Sequence, residues 1–203
     1  MKKTILAIGI TMASFPTFAQ GHINFSWFGS GNATAGVRIG SGNNVPSQLP
    51  GWYVSGDYSV EAYMANGAGQ AESSLVPIAS TKTVFAGAAT TTASGSPASD
   101  GSGLWSAGPR DTGLAVGPAT IEVRAWYDPN HNLNYVQAQA LDYNWGKSTL
   151  YNINLVTSND PAIQSLDSIN FQPFTVETPA PEPSTFALAG LGAVAMLIFR
   201  RRK

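Results

Sequence analysis

Between residues 20 and 177 the apolar positions come in short runs, most of them alternating with polar ones, separated by Gly, Asn, Ser and Pro. A period of two marks a half-buried strand, and many short strands with turn residues between them predict an all-β fold, a single antiparallel β-sandwich of jelly-roll or immunoglobulin-like type. Ile23, Phe25 and Trp27 share one face of the first run, and a second run covers about 35–39. The stretch 40–51, rich in Gly, Asn and Pro, predicts a loop. In the run 58–65, Tyr58, Val60, Ala62 and Met64 face one way and Ser59, Glu61 and Tyr63 the other, before an Asn66-Gly67 turn signal. Shorter runs follow at 74–79 and 82–86, and Pro77 marks the first as an edge strand or a bulge.

The Ala, Thr, Ser and Gly composition of 87–103 predicts a loop, and Leu104-Trp105 opens a short strand ahead of a turn at 113–118. The strongest alternation is 120–127, with Ile121, Val123, Ala125 and Tyr127 on one face and Glu122, Arg124 and Trp126 on the other. We expect this strand to pair with a strand at 135–141 across the loop 128–134, and to be followed by a strand over 147–156. In 169–176 the inward set shifts from Ile169 and Phe171 to Phe174 and Val176, which predicts a bulge at Pro173.

The two ends break this pattern. Lys2-Lys3, an apolar run from Ile5 to about Phe15 and Thr17-Phe18-Ala19 have the layout of a secretory signal peptide over 1–19. Its expected partners are the Sec translocon and signal peptidase, and cleavage after Ala19 would make Gln20 the first mature residue. The residues 20–177 then form one exported domain. At the other end, 178–203 comprises a Pro-rich stretch, the motif Pro181-Glu182-Pro183-Ser184-Thr185, an uncharged apolar run 186–199 and the basic cluster Arg200, Arg201, Arg202 and Lys203. As a helix that run would rise ~21 Å, short of the ~30 Å hydrocarbon core. Ser184 and Thr185 can lengthen it, and the arginines can snorkel. A basic flank stays cytoplasmic, so the expectation is a single-pass helix with its C-terminus inside.

The order of these parts resembles the PEP-CTERM sorting signal of Gram-negative bacteria. That resemblance implies recognition at Pro181, Glu182 and Pro183 by an exosortase-like membrane peptidase. It also implies a transient inner-membrane form, then delivery to the cell surface or the extracellular polysaccharide matrix. Tyr58-Ser-Val-Glu-Ala-Tyr63, Ser74-Leu-Val-Pro-Ile78, Leu104-Trp105, Gly117, Ile121-Glu-Val-Arg-Ala-Trp126 and Gly146-Lys-Ser148 resemble the ectodomain layout of many proteins with this tail. That second resemblance implies a β-sandwich with no known activity.

Charge separates the middle from the ends. Six of the 11 Lys and Arg lie in the terminal segments, whereas 11 of the 12 Asp and Glu lie between them, so the exported domain carries −6. It lacks the basic patch that nucleic acid or an anionic membrane surface would need, and no nucleic-acid partner is expected. There are no cysteines, so neither a disulfide nor a thiolate site is available.

Little else points to chemistry. No Ser has Gly two residues before and two after it, and no HExxH is present. We therefore expect no enzyme and no cofactor, with a polysaccharide hydrolase as the least favoured reading. Asp128, Asn130, Asn132 and Asn134 place oxygens at every second position, a candidate for a hard cation such as Ca²⁺. The calcium-loop pattern fails at Leu133 and Gln139, however, and a polar turn is the preferred reading. Trp52 and Trp126 are candidate sugar-stacking rings, Trp126 because its parity sets it opposite the Ile121 face. A glycan-binding module of the exopolysaccharide matrix is thus the alternative to a structural surface protein.

Overall fold

The computed structural model describes residues 19–28, 36–45, 48–87 and 102–178. The signal-peptide expectation, apart from Ala19, lies outside these residues, as do most of the 87–103 stretch and the tail from 179 onward. Among the described residues no helix is long and apolar enough to cross a membrane.

The protein is all-β, organised on two long strands that alternate as their sequences require. β3 (Tyr58–Asn66) and β7 (Gly117–Tyr127) pair antiparallel from Tyr58–Tyr127 to Asn66–Ala119. On the outer edge of β3 lie two short strands, β4 (Val76–Pro77) and β5 (Thr83–Val84). Pro77 sits on an edge, where its missing N–H costs no ladder bond.

On the other side of β7 lie β8 (Trp145–Lys147) and β9 (Tyr151–Leu155), which were expected as one strand. Three steps on β7, from Arg124 to Ile121, face four on the partner, from Lys147 to Tyr151, so one extra residue bulges out. Ser148 spans the gap, its N–H donating to Val123 O at 2.9 Å and its Oγ accepting from Val123 N at 3.0 Å.

β1 (Gln20–Trp27) and β6 (Trp105–Ala115) form a separate antiparallel ribbon that ends in the cross-strand pair Trp27–Trp105. β6 runs through the first part of the predicted 113–118 turn. The chain passes from ribbon to sheet at Val116-Gly117, where φ of +127° at Gly117 is open only to glycine. Ribbon and sheet share one core, built from Ile23, Phe25, Trp27 and Trp105 on one side and Val60, Met64, Ile121 and Val123 on the other. Phe171 packs edge-on against both Trp27 and Trp105, with ring centroids 5.1 and 5.8 Å away.

Two expected strands take other forms. Residues 135–141 do not pair with β7; Tyr135–Ala140 is a helix, α1. Asn134 and Gln137 form a capping box: Asn134 Oδ1 accepts from Gln137 N, and Gln137 Oε1 accepts from Asn134 N, both at 2.9 Å. Tyr135 and Ala138, three apart, bury one helical face. Residues 169–176 contain no bulged strand. A 3-10 turn at Leu166–Ile169 and a left-handed Asn170 (φ 54°) precede β10, only Thr175–Val176, which runs parallel to β2 (Arg38–Ile39).

β10 also touches the large sheet, because Trp145 and Glu177 exchange backbone bonds at 3.0 and 3.2 Å. Gly146 is what lets the two strands approach: a Cβ there would overlap the carbonyl oxygen of Thr175. Gly146→Ala should therefore force β8 and β10 apart and cost about 2 kcal/mol, read as a lower urea midpoint with an unchanged m-value.

Candidate functional site

The last described residues lead straight into the tail, and they are held on two sides. Arg38 N donates to Phe174 O at 3.2 Å and Gly40 N to Val176 O at 2.8 Å, while Thr178 N donates to Gly42 O at 3.2 Å. The Thr178 hydroxyl donates towards Asn144 Oδ1 at 3.1 Å and Asp142 O at 3.3 Å. Asn144 is fully buried and uses both ends of its amide. Its Nδ2 donates to Asn43 Oδ1 at 2.5 Å and Tyr58 Oη at 3.0 Å, and its Oδ1 also accepts from Asn44 N at 3.3 Å. The Tyr58 hydroxyl donates in turn to Gln48 Oε1 at 2.6 Å, and burial pushes its pKa well above the ordinary tyrosine value. The last described residue is thus tied to β3, to Asn43, Asn44 and Gln48, and to the turn before β8. Nothing in the spacing of Asn144 announces this role, and sequence reasoning missed it.

A polar cluster covers the outer face of β3 and β7. Arg124 donates to Glu122 Oε1 at 2.6 Å and to Glu72 Oε1 at 3.3 Å. Its guanidinium carbon lies 3.9 Å from the Tyr63 ring centroid and 5.0 Å from that of Tyr135. Lys147 Nζ meets Glu72 Oε2 at 2.5 Å; that hydrogen bond, with help from Arg124, holds the Glu72 carboxyl below the usual range. Glu61, opposite Arg124 in register, is 6% exposed. Burial pushes its carboxyl above the ordinary value, against the pull of Lys82 and Arg124.

The candidate cation loop is closed on itself. Asp128 is buried, and its carboxylate points inward. Oδ1 accepts from the N–H groups of Asn132 and Leu133 at 2.9 and 3.1 Å; Oδ2 accepts from Ser59 Oγ at 2.8 Å and Lys82 Nζ at 3.1 Å. Asn134 Oδ1 caps α1, and Asn130 and Asn132 are exposed. The four residues are therefore not gathered round a common point, and Asp128 with its own backbone makes the polar turn expected of such a loop. Among the described residues no group of three His, Cys, Asp or Glu is placed to hold a metal ion.

Trp126 corrects a second expectation. It lies opposite the main core, as its parity requires, but it is fully buried. α1 covers it, with Tyr135 edge-on at 6.0 Å, and its Nε1 donates to Leu133 O at 3.2 Å. No ring face is left for a sugar. Trp52 is partly exposed and packs at the border of the main core. The sorting-motif candidates Pro181, Glu182, Pro183, Ser184 and Thr185 and the basic cluster Arg200, Arg201, Arg202 and Lys203 lie outside the described residues.

Comparison with known proteins bears on that last segment. Residues 179–203 match the family model of the PEP-CTERM protein-sorting motif, beginning one residue beyond Thr178. The chain thus carries a PEP-CTERM motif, which implies an exosortase as processing partner and export with membrane-associated sorting to the cell surface. No curated protein and no solved structure matches the chain.

Two buried carboxyls should give the domain's stability opposite pH dependences. For Asp128, desolvation raises the pKa, but the Leu133 N–H, the Ser59 hydroxyl and Lys82 outweigh it, and the net shift is downward. Its contribution is complete above the unfolded value of ~3.9 and is lost as pH falls through the folded value. Asp128→Asn should cost about 3 kcal/mol at pH 7 and flatten the acid limb of the stability curve. Glu61 holds its proton more tightly when folded, so it subtracts stability as pH rises above the ordinary glutamate value of ~4.3. The advantage of Glu61→Gln over the parent chain should grow from pH 4 to pH 7 in denaturant titrations; an advantage flat with pH would refute this assignment.

Proposed function

We propose that this chain is an exported, non-enzymatic surface or extracellular-matrix protein, whose β-domain is the cargo and whose tail is its address. The observation that carries this reading is the PEP-CTERM match at 179–203, placed directly after a hydrogen-bonded exit at Thr178. In the reading, a signal peptide over 1–19 takes the chain through the Sec translocon and is removed by signal peptidase. The apolar run 186–199 then holds it in the inner membrane with Arg200–Lys203 in the cytoplasm, until an exosortase-like peptidase processes the tail.

We read the ribbon and the large sheet, which share one core, as the two layers of a β-sandwich. The non-enzymatic part of the proposal is supported by what the buried charges do. Asp128, Glu122 and Arg124 are engaged in turns, ion pairs and ring contacts that hold α1 and the sheet together. With Trp126 buried, a glycan-binding role would have to rest, among the described residues, on the partly exposed Trp52 and Trp145, both packed against core clusters, and we do not put it forward.

Glu182 is the charged residue of the motif, and its replacement tests the address without touching the described domain. Glu182→Ala expressed in the native host should accumulate as a full-length, inner-membrane species by intact mass and cell fractionation. A variant that matures and leaves the membrane like the parent would sink the assignment of the motif.

A further inference from the structure

We infer that, while the tail holds the chain in the membrane, one end of the β-domain rests on the bilayer surface, and that its exposed apolar residues make the contact. The inference deepens the reading above and rests on it. Two observations coincide at that end.

The first is the exit. Thr178 is bonded to Asn144, whose amide donates to Tyr58 at the start of β3; Tyr58 pairs with Tyr127 at the close of β7. Thr178, the last described residue, therefore sits at the Tyr58–Tyr127 end. β7 is 11 residues long, so its other end, at Gly117, is ~33 Å away.

The second is the distribution of exposed apolar side chains. The four most exposed large ones among the described residues are Val136 at 65%, Phe28 at 59%, Leu49 at 55% and Leu141 at 53%. Leu141 directly precedes Asp142, which accepts from Thr178, and Val136 lies on the same short helix. Leu49 follows Gln48, which binds the Tyr58 hydroxyl. Phe28 follows the Trp27–Trp105 pair; neighbouring Leu104 accepts from Ala86, two residues beyond the Val84–Ser59 pair at the start of β3. Leu49 and Leu141 thus lie beside the residues that hold Thr178, whereas Val76, at 51%, lies towards the other end of β3, opposite Met64.

Chain length makes a bilayer the occupant. Only seven residues, 179–185, separate Thr178 from the apolar run, and fully extended they reach ~24 Å at most. Part of that reach, ~5–8 Å, is consumed by the headgroup layer of one leaflet. A compact domain of ~160 residues has a radius of gyration of ~15 Å and a diameter near ~40 Å. The slack is less than half the domain's own width, so the domain cannot turn its exit end away from the membrane. The contact is intramolecular, and a few apolar side chains suffice without the basic residues that an untethered surface binder needs.

The test uses the full-length chain in phosphatidylcholine–phosphatidylglycerol vesicles. The sequence has no cysteine, so a single introduced thiol takes an environment-sensitive fluorophore at one place. Leu49→Cys and Leu141→Cys report on the exit end, Val116→Cys, beside Gly117, reports on the far end, and Leu191→Cys reports on the tail. The three domain positions are exposed, so the substitutions leave the core alone. Quenching by spin-labelled lipid should be at least about twofold stronger at positions 49 and 141 than at 116, and strong at 191. Strong quenching at 191 with 49 and 141 no different from 116 overturns the inference and leaves the tail reading standing. Absence of quenching at 191 overturns the tail reading, and the inference with it.

Discussion

Arg124 is the cation around which the covered outer face of the large sheet is built. β7 is central, and both of its faces are covered: Ile121, Val123 and Ala125 on the inner side, Thr120, Glu122 and Trp126 on the outer. Covering the outer face means taking Glu122 and Glu61 out of water, which an isolated carboxylate resists strongly. Arg124 makes this tolerable by pairing with Glu122, reaching Glu72 and resting against the neighbouring rings of Tyr63 and Tyr135. α1 can then seat Tyr135 and Ala138 on the sheet, and Trp126 is sealed beneath them. Glu61 is the least relieved member: Lys82 and Arg124 draw on it, yet desolvation prevails. A lysine in place of Arg124 would keep the charge but lose the planar group that rests against the two rings.

Asp128 performs the matching task at the end of β7. Its two oxygens fold the following loop back on itself and draw in Lys82 from the opposite edge of the sheet and Ser59 from β3. The loop is thereby aimed so that Asn134 can open α1 over Trp126. The charged outer face and the closed loop are one construction, with α1 as the lid that each end secures.

What was legible in the sequence follows from this division. The inward set of each long strand was plain, because apolar residues at every second position admit one arrangement, and Tyr58, Val60, Ile121 and Val123 all face the core. The outward set misled. Ser59, Glu61, Arg124 and Trp126 read as a solvated face, since parity says which side a residue takes and nothing about what covers that side. The segment 135–141 was ambiguous for the same reason. Tyr, Gln and Gln alternate there with Val, Ala and Ala, and only the Asn134–Gln137 capping box, a tertiary-independent signal that was present and overlooked, decides for helix. Asn144 and β10 were beyond reach, because their partners are distant in the chain: Asn43 and Tyr58 for the first, Arg38 and Ile39 for the second. The sorting tail was legible because a peptidase must read it as sequence, whatever fold precedes it.

The closeness of exit and motif has one more consequence, for the state of the domain after processing. The described contacts of the C-terminal strand end at Thr178, whose N–H, hydroxyl and preceding Glu177 carboxylate bind Gly42, Asn144 and the Gly42 N–H. The matched motif starts at 179. Cleavage within the motif removes none of these bonds, so β10 stays between β2 and β8 and the core beneath it stays closed.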